Sequence, residues 1–185
     1  MGLNKRRRGR KRLPARVKQP LTIPLQPNDT WSMDFMHDTL MNGRKFRVLN
    51  IIDDFNREAL RIEPYFSIGS NLVIKILERL VLERGKPKAI RVDNGPEFIS
   101  SALSEWCLEK QIKLMYIQPG KPMQNGYIER FNRSYREDVL DANLFESIHQ
   151  ARLLSDEFLE DYNLHRPHES LGDLSPVTYR LKNCG

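Results

Sequence analysis

Three acidic residues, Asp34, Asp93 and Glu129, sit in stretches that set them apart from the other acids of this 185-residue chain. Asp34 falls within the alternating run TWSMDFMHD, Asp93 ends the short apolar run AIRV, and Glu129 follows the loop PGKPMQNG at the start of a helical pattern. Between Asp93 and Glu129 lie 35 residues. Three carboxylates gathered within about 4 Å repel by several kcal/mol at an effective dielectric near 20, so they either take up protons or hold cations. Hard divalent ions suit them: Mg²⁺ accepts a few carboxylates, keeps several waters and completes its octahedron with phosphate oxygens. Two such ions about 3.5 to 4 Å apart activate an attacking oxygen and stabilise a leaving one in phosphoryl transfer. Most of the 24 Asp and Glu residues are expected to be solvated surface charges, and the pair Asp53 and Asp54 at a strand end is read that way.

The surroundings of Glu129 sharpen the case. On a helix at about 100° per residue, Glu129, Asn132, Arg133 and Arg136 fall within an arc of about 100°. Ile128, Phe131, Tyr135 and Val139 fall together on the neighbouring face, which packs. The carboxylate can therefore face metal ions while Arg133 and Arg136 reach phosphates beside them. Ordinary Glu/Arg pairing, worth about 0.2 to 0.5 kcal/mol per pair, accounts for neither the one-sided face nor the preceding loop. In that loop the backbone N–H groups, Lys121, Gln124 and Asn125 are candidates to meet DNA, or it is a plain connection.

These residues need a scaffold. TWSMDFMHD reads as a strand, Asn42-Gly43 as a tight hairpin turn, and KFRVLNIIDDF and ALRIEPYF as two more strands, giving an antiparallel trio. Leu72, Val73, Ile76, Leu77, Leu80 and Val81 recur at helical spacing before Gly85 and Pro87, which reads as a crossover helix. AIRVDNG is a buried strand, a Ser-capped helix spans about Ser101 to Lys110, and KLMYIQP is a fifth strand. The order is that of an α/β fold with a mixed sheet covered by helices. Asp93 then lies outside the carboxyl end of a strand, where ligand sites of open α/β sheets form, and a first strand beside the fourth brings Asp34 next to it. Ile148, Ala151, Leu154, Phe158 and Leu159 mark a later amphipathic helix, and HRPHESLGDLSPVTY reads as a Pro/Gly-punctuated tail over the surface.

Composition narrows the function further. The chain carries 30 Lys/Arg against 24 Asp/Glu, but Lys5 to Lys18 alone supply nine of the basic residues and no acid, leaving 21 against 24 elsewhere. A polyanionic partner thus needs local basic patches and this arm, including Arg6, Arg7, Arg8, Arg10, Lys11 and Arg12. The arm is read as a nucleic-acid contact driven by counterion release; a solubilising tail or a nuclear localisation signal fits the same residues. Residues 1–25 are assigned to the arm and 26–185 to the core with a helical extension. Two distant cysteines, Cys107 and Cys184, make neither a disulfide framework nor a metal cluster, and no apolar run approaches the roughly 20 residues of a bilayer span. A cytoplasmic, DNA-associated protein is expected. His165 and His168 read as surface-packing groups.

Taken together, WSMDF, VDNGPEF, QPGKPMQNGYIERFNRSYRED and YNLHRPHESLGDLSPVTY resemble the catalytic domain of DDE transposases encoded by the second reading frame of bacterial insertion sequences, relatives of retroviral integrases. The likeness covers about Asn28 to Tyr179. It implies an RNase H-like fold with a mixed five-stranded sheet, and a strand-transfer enzyme using two Mg²⁺ or Mn²⁺ ions. By position Asp34, Asp93 and Glu129 are the triad, with Asp34 bridging both ions. Asn132, Arg133 and Arg136 match the helix face laid on donor DNA, and Gln124 falls in the active-site loop. The resemblance also implies DNA ends and target as partners, a homo-oligomer on DNA, and no nucleotide cofactor. Full-length relatives carry a helix-turn-helix region where this chain has its arm. Two other readings fit the same residues: an RNase H-type nuclease that only hydrolyses, and a truncated, non-catalytic DNA-binding remnant.

Overall fold

The computed structural model describes residues 24–118 and 125–183, and its centre is a five-stranded sheet in the order β3-β2-β1-β4-β5. Strands β1 (Thr30–Thr39), β2 (Lys45–Asp53) and β3 (Ala59–Tyr65) are antiparallel neighbours, whereas β4 (Ala89–Val92) and β5 (Lys113–Tyr116) run parallel to β1. The expected antiparallel trio followed by two crossover strands is therefore present.

The β1–β2 hairpin closes as its sequence directs. Leu40 N donates to Arg44 O at 2.9 Å and Gly43 N to Leu40 O at 2.8 Å. Gly43 takes φ +83°, a conformation that costs a residue with a Cβ. The turn spans one residue more than a two-residue Asn-Gly loop.

Side-chain alternation then divides the molecule into two cores. Trp31 and Met33 of β1 with Leu49 and Ile51 of β2 face helices α1 (Ser70–Arg84) and α2 (Ser101–Glu109), meeting Val73, Leu77, Leu80, Leu103 and Trp106. Met36, Val48 and Ile52 point the other way, toward α3 (Gly126–Tyr135) and α4 (Ile148–Leu164), and pack with Ile128, Phe131, Tyr135 and Phe158. Helix α2 is capped by Ser100, whose Oγ accepts from Leu103 N at 3.2 Å. Cys107 is buried, and burial pushes its thiol up to about 11.

Asp34 belongs to the α3 side by this alternation. Helix α3 is pinned there by Phe131 against Tyr162 (ring centroids 5.0 Å apart) and Tyr135 against Phe158 (5.4 Å). After Tyr135 the backbone widens into a π-helical turn over Arg136–Leu140, which alters the phase of the residues that follow.

Two sequence expectations need correction. Asp53 and Asp54 are not solvated: they are 3% and 0% exposed. Asp54 Oδ2 pairs with Arg91 Nη1 at 2.6 Å, and Asp53 accepts from Asn28 N at 2.7 Å and Phe55 N at 2.9 Å. The tail contains an unforeseen helix, α5 (Pro176–Asn183). It docks on the β2–β3 turn through Arg180 Nε to Glu58 Oε2 at 3.0 Å and Asn56 Nδ2 to Pro176 O at 3.0 Å. His168 packs edge-on against Tyr162, 4.9 Å between centroids, in keeping with a packing role. Among the described residues no helix is long and apolar enough to cross a membrane.

Candidate active site

Strand pairing brings the first two acids to one level. The last parallel β1–β4 pair is Ser32 with Arg91, and two residues further along each strand stand Asp34 and Asp93. The chain leaves β1 for β2 on one side, while β4 occupies the other, so the acids flank a point where connections diverge.

Asp34 is held from two directions. Its Oδ1 accepts from Phe35 N at 2.8 Å and its Oδ2 accepts from Asn132 Nδ2 at 2.7 Å. Burial pushes its carboxyl up to about 6, and the negative charges of Asp93 and Glu129 push in the same direction, while the bonds from Phe35 and Asn132 oppose them. Asp34 thus feels both other acids of the expected trio.

Asp93 lies just past β4, where its Oδ1 accepts from Gly95 N at 2.9 Å. A Cβ on Gly95 would stand 2.9 Å from that same oxygen and 3.6 Å from Glu97 Oε2, so any side chain at 95 displaces the Asp93 carboxylate from this position. The loop is tied back to the sheet by the Arg47–Glu97 ion pair, which holds the Glu97 carboxyl below its usual range. The Arg47 guanidinium also lies 4.3 Å from the Phe35 ring, and Phe35 stacks on Phe98 at 4.8 Å. This wall fixes the Asp93 turn against the strand that carries Asp34.

Glu129 comes from the first turn of α3 and is exposed. Its position one turn before Asn132 follows the helical repeat. Arg133 is exposed beyond it. The remaining predicted donors diverge from that face. Asn132, expected to meet DNA, is 9% exposed and turned inward, because α3 lies against the sheet with Asn132 above Asp34. Arg136, at the π-helical turn, donates to His37 O at 3.1 Å and lies 3.4 Å from Asp141. Asn125 is the N-cap of α3 and 4% exposed, a buried rather than a surface group. Lys121, Gln124, Arg6, Arg7, Arg8, Arg10, Lys11 and Arg12 lie outside the described residues.

One residue of the site escaped the sequence reading. Asn50 of β2 pairs in register with Asp34 and donates from Nδ2 to Asn132 Oδ1 at 2.8 Å. Its signal was a lone amide inside the apolar run VLNII.

The donor set fits a hard divalent ion: only carboxylate oxygens, one of them disfavoured as an anion by burial and then by its acidic neighbours, and therefore stabilised by an added cation. Among the described residues no three His, Cys, Asp or Glu side chains stand close enough together to hold an ion as they are.

Two family models, both described as the integrase core domain, match residues 24–122 and 110–176. A 31.7 kDa insertion element IS407 protein of Burkholderia multivorans is 40% identical over 182 residues, covering 98% of this chain and 66% of its own length. A 39.2 kDa insertion element IS476 protein of Xanthomonas euvesicatoria is 40% identical over 177 residues, covering 96% and 51%. The chain thus spans about half to two thirds of these relatives. Among solved structures, the HTLV-2 integrase catalytic core domain in complex with magnesium matches with a TM-score of 0.66 at 22% identity, covering 84% of this chain and 98% of that one. A chain of the simian T-cell lymphotropic virus intasome matches with a TM-score of 0.73 at 20% identity, covering 89% and 58%. These structural likenesses show the fold, an RNase H-like core.

Proposed function

Because the chain belongs to the integrase core domain family, we propose that it is the catalytic core of an insertion-element transposase, cutting DNA and joining a freed 3′-OH to a target strand. The observation that carries this reading is the convergence of three elements: the parallel β1–β4 register sets Asp34 and Asp93 at one level, and Asn132 of α3, one turn past Glu129, donates to Asp34 at 2.7 Å, where burial and the charges of Asp93 and Glu129 raise the Asp34 carboxyl. A buried carboxylate burdened by further acids beside the end of a parallel strand is matched to a cationic ligand rather than to stability.

In this proposal Asp34, Asp93 and Glu129 are the residues that would hold Mg²⁺ or Mn²⁺. When bound, the ions supply Lewis-acid activation of the attacking oxygen and charge stabilisation of the leaving one. The protein's own residues orient the reactants. Asn132 and Phe35 N fix the Asp34 carboxylate, and Gly95 N fixes that of Asp93. Arg133, exposed one turn beyond Glu129, receives the phosphate backbone, and the arm from Lys5 to Lys18 adds sequence-independent affinity. In the first step water attacks a phosphodiester phosphorus and the 3′ oxygen leaves as a hydroxyl. In the second that hydroxyl attacks a target phosphodiester in line and displaces another 3′-OH. Neither step requires a covalent protein intermediate or a nucleotide. Joining two ends in one event calls for a homo-oligomer on DNA.

The test uses the whole chain with a pre-cut DNA end carrying a labelled strand with a free 3′-OH. Joined product in Mg²⁺ or Mn²⁺, lost in Asp93→Asn while DNA binding persists, is the expected result. Hydrolysis without joining identifies a nuclease instead. Product unchanged in Asp93→Asn removes the proposal.

A further inference from the structure

We infer that Asn50 is a positioning residue, setting the direction of hydrogen bonding at the Asp34 carboxylate through Asn132. The inference rests on the proposed function, since it is the ion-holding role of Asp34 that Asn50 serves.

Asn50 is fully buried in β2, between Leu49 and Ile51, which are fully buried too. Its amide is poorly explained by stability. Nδ2 donates to Asn132 Oδ1 at 2.8 Å and lies 3.3 Å from Met36 Sδ, a weak acceptor, while Oδ1 is buried with no partner among the described residues. An orphaned amide oxygen carries a desolvation cost that leucine, of similar size, avoids. What the amide provides is polarity. A carboxylate only accepts hydrogen bonds, so the Asn132 group facing Asp34 Oδ2 at 2.7 Å must be its NH₂. The Asn132 oxygen then faces β2, and only a donor there holds that orientation. Asn50 is that donor, placed opposite Asp34 by the β1–β2 register. The result is a one-way chain, Asn50 to Asn132 to Asp34, linking two strands and a helix.

This chain and the Phe35 N–H together occupy one lone pair on each Asp34 oxygen. The carboxylate plane is thereby fixed and the remaining lone pairs keep one direction. Groups that orient a metal-binding carboxylate in this way are worth about 10-fold to 100-fold in metal affinity.

Two variants separate the role from simple packing. Asn50→Leu keeps the volume and removes the donor. Asn50→Asp keeps the shape and puts an acceptor in place of the donor, so that residue 50 competes with Asp34 for the Asn132 NH₂. Mn²⁺ binding to the full chain without DNA, followed by the EPR signal of free Mn²⁺, is expected to weaken about 10-fold to 100-fold in both. Folded Asn50→Leu protein with wild-type Mn²⁺ affinity overturns the inference. Should the variants fail to fold, the wild-type protein still decides. The side-chain NH₂ of Asn132, identified in NMR spectra by its absence from Asn132→Ser, is expected to exchange with solvent slowly. Exchange as fast as that of an exposed amide overturns the inference. Wild-type protein that binds no Mn²⁺ overturns the functional reading instead, and the Asn132 exchange rate still reports on the chain of bonds.

Discussion

Asn132 of α3 donates to Asp34 of β1 across 2.7 Å, joining residues 98 positions apart. The bond turns the helix that carries Glu129 into a part of the Asp34 environment. Any shift of α3 on the sheet therefore changes both acids together, and the packing of Phe131 and Tyr135 on α4 becomes a determinant of site geometry.

The Asp93 turn should be sensitive to a single methyl group. Gly95→Ala places Cβ 2.9 Å from Asp93 Oδ1, so the side chain must swing away and lose its bond to residue 95 N. One exchanged hydrogen bond costs stability only about 1 kcal/mol, whereas, under the proposed function, displacement of an oxygen that would hold metal is expected to reduce strand joining about 100-fold. Thermal unfolding and a joining assay on the same protein check the split.

Proton and cation should compete at Asp34. Its carboxyl is raised from 3.8 to about 6, so the ionised form is penalised in the folded state. Without a divalent ion, this group subtracts stability as pH rises from about 4 through 6, and subtracts nothing below that range, where both states are protonated. A bound cation favours the ionised form. The rise in Tm on adding Mg²⁺ is therefore expected to be larger at pH 7.5 than at pH 5.5, by differential scanning fluorimetry.

Away from the site, Arg91 and Asp54 form a buried pair, 9% and 0% exposed. Arg91→Leu removes the ion-pair partner of Asp54, and burial already pushes that carboxyl up while Arg91, with Ser32 and Arg57, opposes the shift. Removing one partner of such a pair costs about 3 to 5 kcal/mol, and replacing both with apolar residues costs much less. Urea unfolding of Arg91→Leu and of the Asp54→Leu/Arg91→Leu double variant tests this.

Local signals carried much of the fold and little of its long-range polar wiring. The β1–β2 hairpin followed from alternation around Asn42-Gly43, and α1 from its apolar spacing; Val73, Ile76, Leu77 and Leu80 are indeed its buried residues. The burial of Asp53 and Asp54 depends on remote partners: Arg91 arrives from β4, 37 positions from Asp54, and Asn28 N is 25 positions from Asp53. A helical wheel likewise placed Asn132 beside Glu129 correctly in angle, yet could not show that this flank of α3 meets β1. It also could not foresee the π-helical turn at Arg136, which ends the regular repeat on which that residue's direction depended. Asn50 was visible as a polar break in an apolar strand, but its purpose depends on the register that sets it opposite Asp34.

The most direct measurement is a crystal structure of the chain in Mn²⁺, read by anomalous scattering. The account predicts manganese peaks within ligating distance of Asp34, Asp93 and Glu129, with Asn132 still donating to Asp34. Manganese absent from this trio at saturating concentration, or bound with any one of the three carboxylates turned away, contradicts it.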